Sequence, residues 1–465
     1  MKRRRMGALV LLVLPFVALS AGLELAKPFS DHMVLQRDRP VPVWGSAPAG
    51  AEVAVVFAGR SASAKADASG HWKVVLAPLS ASSEGRDLAV TATLGAQRST
   101  VELHDVVVGE VWLCSGQSNM AMSMTQGWTR YGDGIGMMVA QVTDKPMIRY
   151  FDSTSKERWN RLTPKFLMTG WKSALPVHYA LELQDKLEIP VGVIVAAVGG
   201  SNIDSWNPSM GAKAKLHLAH IAPLGPFALR GAVWYQGETN VKEVEEYPDK
   251  LEQLHRGWKD QFGDADLPLH VVQLAPYRYK TPEERAALPQ FMEGQADYAA
   301  RHKDASITII NDIGNFEDAH PNNKWLVAKR LALHAFKHNY GFKDIEDESP
   351  ALESAAVAAT NRVRLVFGHA KSLYVYRQDS RYNLDAGFEL AGADGVWKKA
   401  DIVNFPKLDW VQYGVLTNNV VELVAKGVER PVRVRYAYAP PFQGCFYNQV
   451  NLPCGPFCAD IQKGK

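Results

Sequence analysis

The stretch Val106–Asn119 reads VVVGEVWLCSGQSN and changes character abruptly after Cys114. Its first part is almost wholly apolar, which is typical of a strand buried on both faces of a sheet. The residues that follow are small and polar, and a glycine among them allows a tight turn. The stretch therefore predicts a buried strand that ends in an exposed turn carrying Ser118.

Further apolar runs follow in the same part of the chain, at Val191–Val198, Arg230–Tyr235, Leu269–Leu274 and Ile307–Asn311. Stretches of helical period lie among them, at Tyr247–Phe262, Leu288–Lys303 and Lys324–Lys337. Apolar strands that alternate with helices indicate a parallel sheet with helices on both faces. We therefore predict an α/β domain over residues 106–341.

Both flanks of this domain read as β structure. Residues 23–105 contain short segments rich in β-branched and aromatic residues, separated by turn-forming residues, which predicts an N-terminal β-sandwich domain. In residues 342–465 the segments Arg362–Phe367 and Val432–Tyr438 alternate with period two. This alternation predicts a C-terminal β-rich domain.

Residues 1–22 have the pattern of a secretory signal peptide. Lys2-Arg3-Arg4-Arg5 precedes an apolar run that continues to Val17, and small residues follow up to Gly22. The run is short for a membrane span, which needs about 20 apolar residues. We predict that this segment is cleaved and that the mature protein is periplasmic or secreted, without membrane attachment.

Composition and charge narrow the class of protein. The chain has 465 residues, of which 47% are apolar and 22% charged, as in an ordinary soluble globular protein. Lys+Arg 52 against Asp+Glu 49 leaves a net charge of +3, with no basic stripe for a nucleic acid. We predict no nucleic-acid partner, and nothing in the composition indicates an oligomeric state.

The four cysteines predict a disulfide rather than a metal site. Cys445, Cys454 and Cys458 cluster near the C-terminus, with no histidine nearby and no second cysteine pair for zinc. We expect one disulfide within this cluster, with the pair left open. Cys114 ends an apolar run and is expected to be a buried, inert thiol.

In an open parallel sheet, ligands bind outside the carboxyl ends of the strands. Glycine and polar residues follow the predicted strands at Ser115–Asn119, Gly199–Asn202, Gln236–Asn240 and Asp312–Pro321. Taken alone, a serine in a turn, a His-Pro pair before a helix and a glycine pair are common structural features. Their joint position at one sheet edge indicates an active site.

Each of these groups has a chemical use in ester hydrolysis. The hydroxyl of Ser118 needs a base, which His320 can supply, and a carboxylate at Asp318 or Glu317 would orient the imidazole. Donors for an oxyanion are available from the Ser118 N–H, from Gly199 or Gly200, and from the Gln236 amide. The turn is not the G-x-S-x-G elbow of α/β-hydrolases. We predict a serine esterase that uses no metal and no cofactor.

The block Gly109–Met120 resembles the nucleophile block of the sialate O-acetylesterase family, part of the SGNH hydrolases. Blocks similar to those of the family follow in the same order, at Gly199–Trp206, Trp234–Asn240, Asp312–Gly314 and His320–Lys324. Met33–Gln36 resembles its N-terminal β-domain and Val434–Ala437 its closing strand. The resemblance covers nearly the whole mature chain.

The resemblance implies an SGNH-type, flavodoxin-like sheet with Ser118 as nucleophile and His320 as general base. It implies an oxyanion hole of Ser118, Gly199 or Gly200, and Gln236, which stands where the wider SGNH pattern has asparagine. That pattern has Asp three residues before His, where Glu317 stands. The Asp-x-His-Pro sequence common in this branch favours Asp318, and Glu317 is the alternative.

The resemblance also implies hydrolysis of acetyl esters on sugars through an acetyl-serine, with a sialic acid or a plant polysaccharide such as xylan or xyloglucan as substrate. Trp206, Glu238 and Asn240 are the candidate substrate contacts, and for Trp206 a place in the pocket is favoured over the alternative of a core aromatic. The segment Tyr131–Trp171 is shorter than the insertion that the family often carries, so the family's substrate contacts do not transfer to it.

Two other functions remain as alternatives. A lipid- or aryl-ester SGNH esterase would use the same catalytic residues, but no long apolar lid is apparent in the sequence. A non-catalytic carbohydrate-binding protein would not need Ser118, Gln236 and His320 together, because binding alone requires no base beside a serine.

Overall fold

The computed structural model describes residues 22–124, 145–314, 316–376, 386–404, 413–439 and 442–462. The predicted signal peptide lies outside the described residues except for Gly22. The described chain divides by its contacts into two compact units. The first comprises Pro42–Leu76, Leu88–Glu102 and the described residues before Lys27, and the second comprises the rest. The three domain boundaries drawn from the sequence stay a prediction.

Short strands form the N-terminal part of the chain: β1 (Glu24–Leu25), β2 (Val34–Gln36), β3 (Val41–Ser46), β4 (Glu52–Phe57), β5 (Arg60–Lys65), β6 (His71–Leu76) and β7 (Ser82–Leu94). In the first unit, β1, β3 and β6 form one sheet, and β4 pairs antiparallel with β5 and with β7. Every second residue of β6 is buried, because successive side chains of a strand point to opposite faces.

A parallel sheet lies at the centre of the second unit. Its strands are β8 (Gln97–Gly116, of which the first residues belong to the first unit), β9 (Lys145–Asp152), β10 (Asn160–Leu162), β11 (Val191–Ala197), β12 (Gly231–Tyr235), β13 (Leu269–Val272) and β14 (Ala305–Thr308). Their order is β10-β9-β11-β8-β12-β13-β14, and all neighbours are parallel except β10 and β9. The strands β11, β12 and β13 are buried along their whole length, as their apolar sequences predict.

The helices of the second unit are α1 (Ser118–Ala121), α2 (Pro164–Met168), α3 (Ala174–Leu187), α4 (Tyr247–Phe262), α5 (Pro282–Arg301) and α6 (Lys324–His334). The prediction for α4 is confirmed. The helix α5 begins earlier than predicted, because Thr281 and Glu284 form a capping box at its start. In the packing, α3 contacts α6 and α4 contacts α5. None of the helices in the described chain is long and apolar enough to cross a membrane.

The C-terminal strands are β15 (Ala351–Ala359), β16 (Arg362–Gly368), β17 (Leu373–Tyr376), β18 (Phe388–Ala391), β19 (Trp397–Ile402), β20 (Tyr413–Leu416), β21 (Val420–Ala425), β22 (Arg433–Tyr436), β23 (Phe446–Asn448) and β24 (Phe457–Asp460). One sheet has the order β15-β16-β21-β19-β18-β22-β24, and a second has β20-β17-β23. The prediction of a mixed α/β chain with large sheets is confirmed. The strand β9 and the helix α3 were not predicted, because their sequences carry no clear apolar period.

The predicted C-terminal disulfide is wrong. All four cysteines lie in the described part of the chain, and the structure contains them as thiols. Cys445 and Cys454 are buried in the core of the C-terminal strands, where they pack as small apolar side chains. Cys458 instead accepts a hydrogen bond from Arg433 Nη2 over 3.2 Å. Apolar packing therefore holds this region together without a covalent link.

Candidate active site

The turn after β8 is held between the two neighbouring strands. The Gln117 N–H donates to the Tyr235 carbonyl over 3.1 Å, and the Val198 N–H donates to the Gly116 carbonyl over 3.1 Å. Gly116 has a φ of 144°, and a Cβ at this residue would lie 2.1 Å from the Tyr235 oxygen. Only glycine fits this position. The turn places Ser118 at the carboxyl edge of the sheet, as the first residue of α1.

Three of the predicted residues form a continuous row of hydrogen bonds. The Ser118 Oγ lies 2.8 Å from His320 Nε2, and His320 Nδ1 lies 2.8 Å from Asp318 Oδ1. The His320 backbone N–H also donates to Asp318 Oδ1, over 3.1 Å. A neutral imidazole with its proton on Nδ1 satisfies both bonds, because it donates to the carboxylate and accepts from the serine. In this state the imidazole can take the serine proton.

Asp318 and Glu317, the two acids left open by the sequence, lie in different environments. The Asp318 side chain is 8% exposed and contacts the imidazole directly. The Glu317 side chain is 70% exposed and forms an ion pair with Arg278 over 2.9 Å. The geometry therefore favours Asp318 over Glu317 as the partner of His320.

Gly199, one of the two glycines predicted for the oxyanion hole, lies beside the serine. A Cβ at Gly199 would lie 3.6 Å from Ser118 Cβ, so a side chain there would reduce the space in front of the hydroxyl. Gly200 has a φ of 71°, in the left-handed region that favours glycine. The backbone after β11 thus passes close to Ser118 and can bring an N–H group to a reacting carbonyl.

Gln236 does not occupy the position predicted for an oxyanion donor. Its side chain is fully buried, and it is absent from the described residues that line the cavity in front of Ser118. Its Nε2 lies 2.7 Å from Asn240 Oδ1 and 3.0 Å from Gln117 Oε1, while its Oε1 accepts from the Tyr247 hydroxyl over 2.8 Å. The amide is therefore engaged in a buried network that supports the turn before Ser118.

The predicted substrate contacts are also absent from the described residues that line the cavity. Trp206 has no exposed surface and donates from Nε1 to Ser201 Oγ over 2.8 Å. Its ring packs edge-on against Trp234, so it is a core aromatic, and the prediction that it stacks on a sugar was wrong. Asn240 is 1% exposed, and its Oδ1 accepts a hydrogen bond from Gln236 Nε2. Glu238 accepts a hydrogen bond from Asn119 Nδ2. Neither is among the described residues lining the cavity, which corrects that prediction.

A buried polar cluster that the sequence did not reveal lies behind the serine. We call Asn119, Glu238 and Lys324 the Asn119 cluster. Asn119 Nδ2 donates to the Ala319 carbonyl over 2.8 Å and to Glu238 Oε1, and its Oδ1 accepts from Lys324 Nζ over 2.5 Å. Because Ala319 stands between Asp318 and His320, this side chain ties the residue after Ser118 to the loop that carries the imidazole.

The charges of the Asn119 cluster are shifted by burial. Burial lowers the pKa of Lys324 to about 7, although Glu238 and Asp318 act in the opposite direction. Burial raises the pKa of Glu238, against the hydrogen bond from Asn119 and the charges of Lys324 and His320. Both shifts favour the neutral forms, because a charge is costly to bury. The site thus has a buried polar region, shielded from solvent, on one side.

A cavity of about 930 Å³ opens on the other side of Ser118 and His320. Trp171, Met122 and Gly199 contribute to its lining, together with the polar residues Asp152, Thr154, Ser155 and His220. The sequence did not identify these residues, because Trp171 belongs to no recognised block and Asp152 ends the unpredicted strand β9. The volume is large enough for a sugar residue beside the ester.

A group of metal-type ligands lies elsewhere in the described chain. Atoms of His334, His338 and Asp347 approach within 4.8 Å of one another. The Asp347 carboxylate contacts His334 Nδ1 over 2.9 Å, His338 Nε2 over 2.7 Å and Lys337 Nζ over 2.7 Å. The Lys337 ammonium already neutralises this carboxylate, and none of the three residues is among the described residues that line the cavity of Ser118.

Comparison with known proteins identifies the family. A family model described as carbohydrate esterase, sialic acid-specific acetylesterase, matches residues 108–312. The sialate O-acetylesterase of Mus musculus is 25% identical over 97% of this chain and 97% of its own length, and that of Homo sapiens is 27% identical over 81% and 83%. The crystal structure of a carbohydrate acetylesterase from Xanthomonas citri has a TM-score of 0.80 and 30% identity, and the match covers 94% of this chain and 99% of the other.

The matches to the mouse and Xanthomonas citri proteins extend over nearly the whole chain, and the family model includes the turn of Ser118 and the strands around it. A relative with 30% identity over almost its full length is sufficient to establish common descent and a common fold. The chain belongs to the family of carbohydrate esterases related to sialic acid-specific acetylesterases, and it is a carboxylic ester hydrolase.

Proposed function

We propose that this protein removes acetyl groups from carbohydrate esters through an acetyl intermediate on Ser118. The observation that carries the proposal is the hydrogen-bonded row of Ser118, His320 and Asp318, with 2.8 Å between Ser118 Oγ and His320 Nε2 and 2.8 Å between His320 Nδ1 and Asp318 Oδ1. The names of the relatives, sialate O-acetylesterase and carbohydrate acetylesterase, support the acetyl group and the sugar.

In the first half-reaction, Ser118 Oγ attacks the acetyl carbonyl carbon while its proton moves to His320 Nε2. Asp318 accepts a hydrogen bond from Nδ1 and stabilises the imidazolium that forms. The N–H groups of Ser118 and of Gly199 or Gly200 face the developing oxyanion. When the tetrahedral intermediate collapses, the ester bond breaks and the sugar hydroxyl leaves with the proton from His320.

In the second half-reaction, a water molecule replaces the sugar. His320 Nε2 removes a proton from the water as the water oxygen attacks the acetyl carbon. The intermediate collapses, acetate leaves, and the proton returns from His320 to Ser118 Oγ. The two half-reactions use one base, and no metal or cofactor takes part in either.

We infer that the central sheet is of the SGNH type and that the chain is exported. The parallel order β9-β11-β8-β12-β13-β14, with Ser118 directly after β8, supports the first inference. The basic and apolar pattern of residues 2–17 supports the second. After cleavage the esterase would meet polysaccharides or glycans outside the cytoplasm.

The variant Ser118→Ala tests the proposal. This variant should reduce the rate of p-nitrophenyl acetate hydrolysis to the background rate and should abolish labelling by a fluorophosphonate probe, because both reactions need the serine oxygen. Ser205→Ala is a matched control, since its hydroxyl donates to Asn202 Oδ1 over 2.8 Å and Ser205 is not among the described residues that line the cavity. A folded Ser118→Ala protein that still hydrolyses the ester would refute the mechanism. Absence of labelling in the wild type would instead favour a non-catalytic protein.

A further inference from the structure

Trp171 is an aromatic ring held open to the active-site cavity. Its side chain is exposed, with 53% of its surface accessible, and it lines the same cavity as Ser118 and His320. The indole N–H donates to the Ala121 carbonyl over 2.6 Å. Since Ala121 ends the short helix that begins at Ser118, one hydrogen bond fixes the ring relative to the serine.

The backbone around Trp171 is attached to the segment that follows α1. The Met124 N–H donates to the Lys172 carbonyl over 3.0 Å, and the Ala174 N–H donates to the Met122 carbonyl over 2.8 Å. Ser123 and Ser173 pair as an antiparallel bridge between these bonds. The ring is therefore preorganised, and a ligand that stacks on it pays little conformational entropy.

The residues Asp152, Thr154, Ser155 and His220 supply a polar part of the same cavity. The Thr154 hydroxyl donates to Asp152 Oδ1 over 2.6 Å, and the Ser155 hydroxyl donates to the Asp152 carbonyl over 3.2 Å. His220 Nδ1 lies 3.2 Å from the Ser153 carbonyl, and burial lowers the pKa of His220, so its Nε2 is an acceptor at neutral pH. The cavity thus combines the apolar indole ring of Trp171 with hydroxyl, carboxylate and imidazole groups from other residues. This combination matches a sugar, which has an apolar face and an edge of hydroxyl groups.

The charged residues in and around the cavity bear on the kind of sugar that it can accept. Among the described residues that line the cavity, Asp152 is an anion and none is a lysine or an arginine. Lys27, which is close enough to Asp152 to sense its charge, donates from Nζ to the Ser153 carbonyl over 2.5 Å. Lys172, beside Trp171, is 2% exposed and pairs with Glu157 over 2.7 Å. A sugar carboxylate placed beside Asp152 would therefore meet a like charge.

We propose that Trp171 is the stacking platform of a subsite for a neutral acetylated sugar, and that Asp152 makes this subsite unfavourable for acetylated sugars that carry a carboxylate. The proposal rests on the proposed function, because the ester must lie at Ser118 while the sugar ring lies against the indole. It assigns the substrate class to acetylated sugars without a charged group, such as acetylated xylo-oligosaccharides, and it disfavours O-acetyl sialic acids.

The first test compares an acetylated xylo-oligosaccharide with ethyl acetate, which has no ring to stack. Trp171→Ala should raise KM for the oligosaccharide by about tenfold with a kcat change of about twofold or less, so the preference for the sugar over ethyl acetate falls. Trp171→Phe, which keeps a ring, should recover part of this preference. Trp325→Ala is the matched control, because Trp325 is another exposed tryptophan, 44% accessible, and hydrogen-bonds Glu182 away from the cavity. If Trp171→Ala kept the wild-type preference for the oligosaccharide over ethyl acetate, the proposal that Trp171 stacks on the sugar would be refuted.

The second test measures acetate release by the wild type from the same oligosaccharide and from 9-O-acetyl-N-acetylneuraminic acid. We expect kcat/KM to favour the neutral sugar by about tenfold or more, and Asp152→Asn to shift this ratio towards the sialic acid by severalfold. A wild type that prefers the sialic acid, or an Asp152→Asn ratio equal to that of the wild type, would overturn the charge argument. Failure of the proposed function is distinguishable, because it would appear as ester hydrolysis that survives Ser118→Ala.

Discussion

Ser118 and His320 stand between two regions of opposite character. Behind them the Asn119 cluster is buried, with Asn119 1% and Lys324 2% exposed, and its hydrogen bonds end on the loop that carries His320. In front of them the cavity is open, and its Trp171 is 53% exposed. The buried region can affect catalysis only by positioning the hydrogen-bonded residues Ser118, His320 and Asp318. The open cavity, in contrast, can contact the substrate. Substitutions in the Asn119 cluster should therefore lower kcat, and substitutions of residues that line the cavity should alter KM.

The largest effect on kcat is expected from a substitution of Asp318, the buried carboxylate that contacts the imidazole of His320. Asp318→Asn should lower kcat by about 10³- to 10⁴-fold, because an amide cannot stabilise the imidazolium and can favour the wrong tautomer. KM for p-nitrophenyl acetate should change little. Steady-state kinetics near neutral pH measure both parameters.

The neighbouring acid gives the matched control for this change. Glu317→Gln removes a carboxylate of the same loop, but that carboxylate is 70% exposed and contacts Arg278. We expect its kcat to stay within about twofold of the wild type. A large loss in Glu317→Gln together with a small loss in Asp318→Asn would reverse the assignment of the acid.

A smaller effect is expected from the Asn119 cluster itself. Asn119→Ala removes the bonds to the Ala319 carbonyl, to Glu238 and to Lys324, so the loop of His320 loses its anchor. We expect kcat to fall by about 10- to 100-fold with KM nearly unchanged, because a small displacement of the base is costly. In Asn418→Ala, a control in the exposed turn between β20 and β21, kcat should be unaffected. If Asn119→Ala raised KM and left kcat intact, the assignment of kcat effects to the Asn119 cluster and of KM effects to the cavity would be wrong.

The smallest effect is a pH dependence of stability that originates at Lys324. Its pKa falls from 10.5 to about 7 on burial, so between these values the unfolded chain binds more protons than the folded one. The free energy of unfolding should therefore rise with pH in this window, by about 1 kcal/mol from pH 7 to pH 8. Lys324→Met lacks this contribution, and urea denaturation at the two pH values should show the difference. Parallel changes in both proteins would contradict the shift.

The sequence was sufficient for the parts of the site that depend on strand ends. Ser118 and His320 follow buried apolar runs, and parallel strands bring their carboxyl ends to one edge, so their proximity could be expected before the structure was known. The residues alone left Asp318 and Glu317 open, because adjacent residues of a loop differ only in the direction of their side chains, and only the family resemblance favoured Asp318. That direction depends on the loop's contacts, among them the hydrogen bond from Asn119 to Ala319.

The errors and omissions have a common cause. Trp206 and Gln236 follow strands at the correct edge, yet tertiary packing encloses both side chains completely. Trp171 lies in a stretch without a motif, and its place at the cavity depends on a hydrogen bond to Ala121, which is distant in sequence. A linear pattern identifies which residues reach the edge of a sheet. Whether a side chain there is enclosed or open depends on contacts with residues far along the chain.

The central claim is that the acetyl group passes through Ser118. The most direct measurement is mass spectrometry of protein that has been mixed with p-nitrophenyl acetate and quenched in acid before turnover is complete. We predict that one acetyl group is found on the peptide containing Ser118, and that Ser118→Ala shows none. Acetyl at another residue of the wild type, or rapid turnover without any acetylated peptide, would contradict the account.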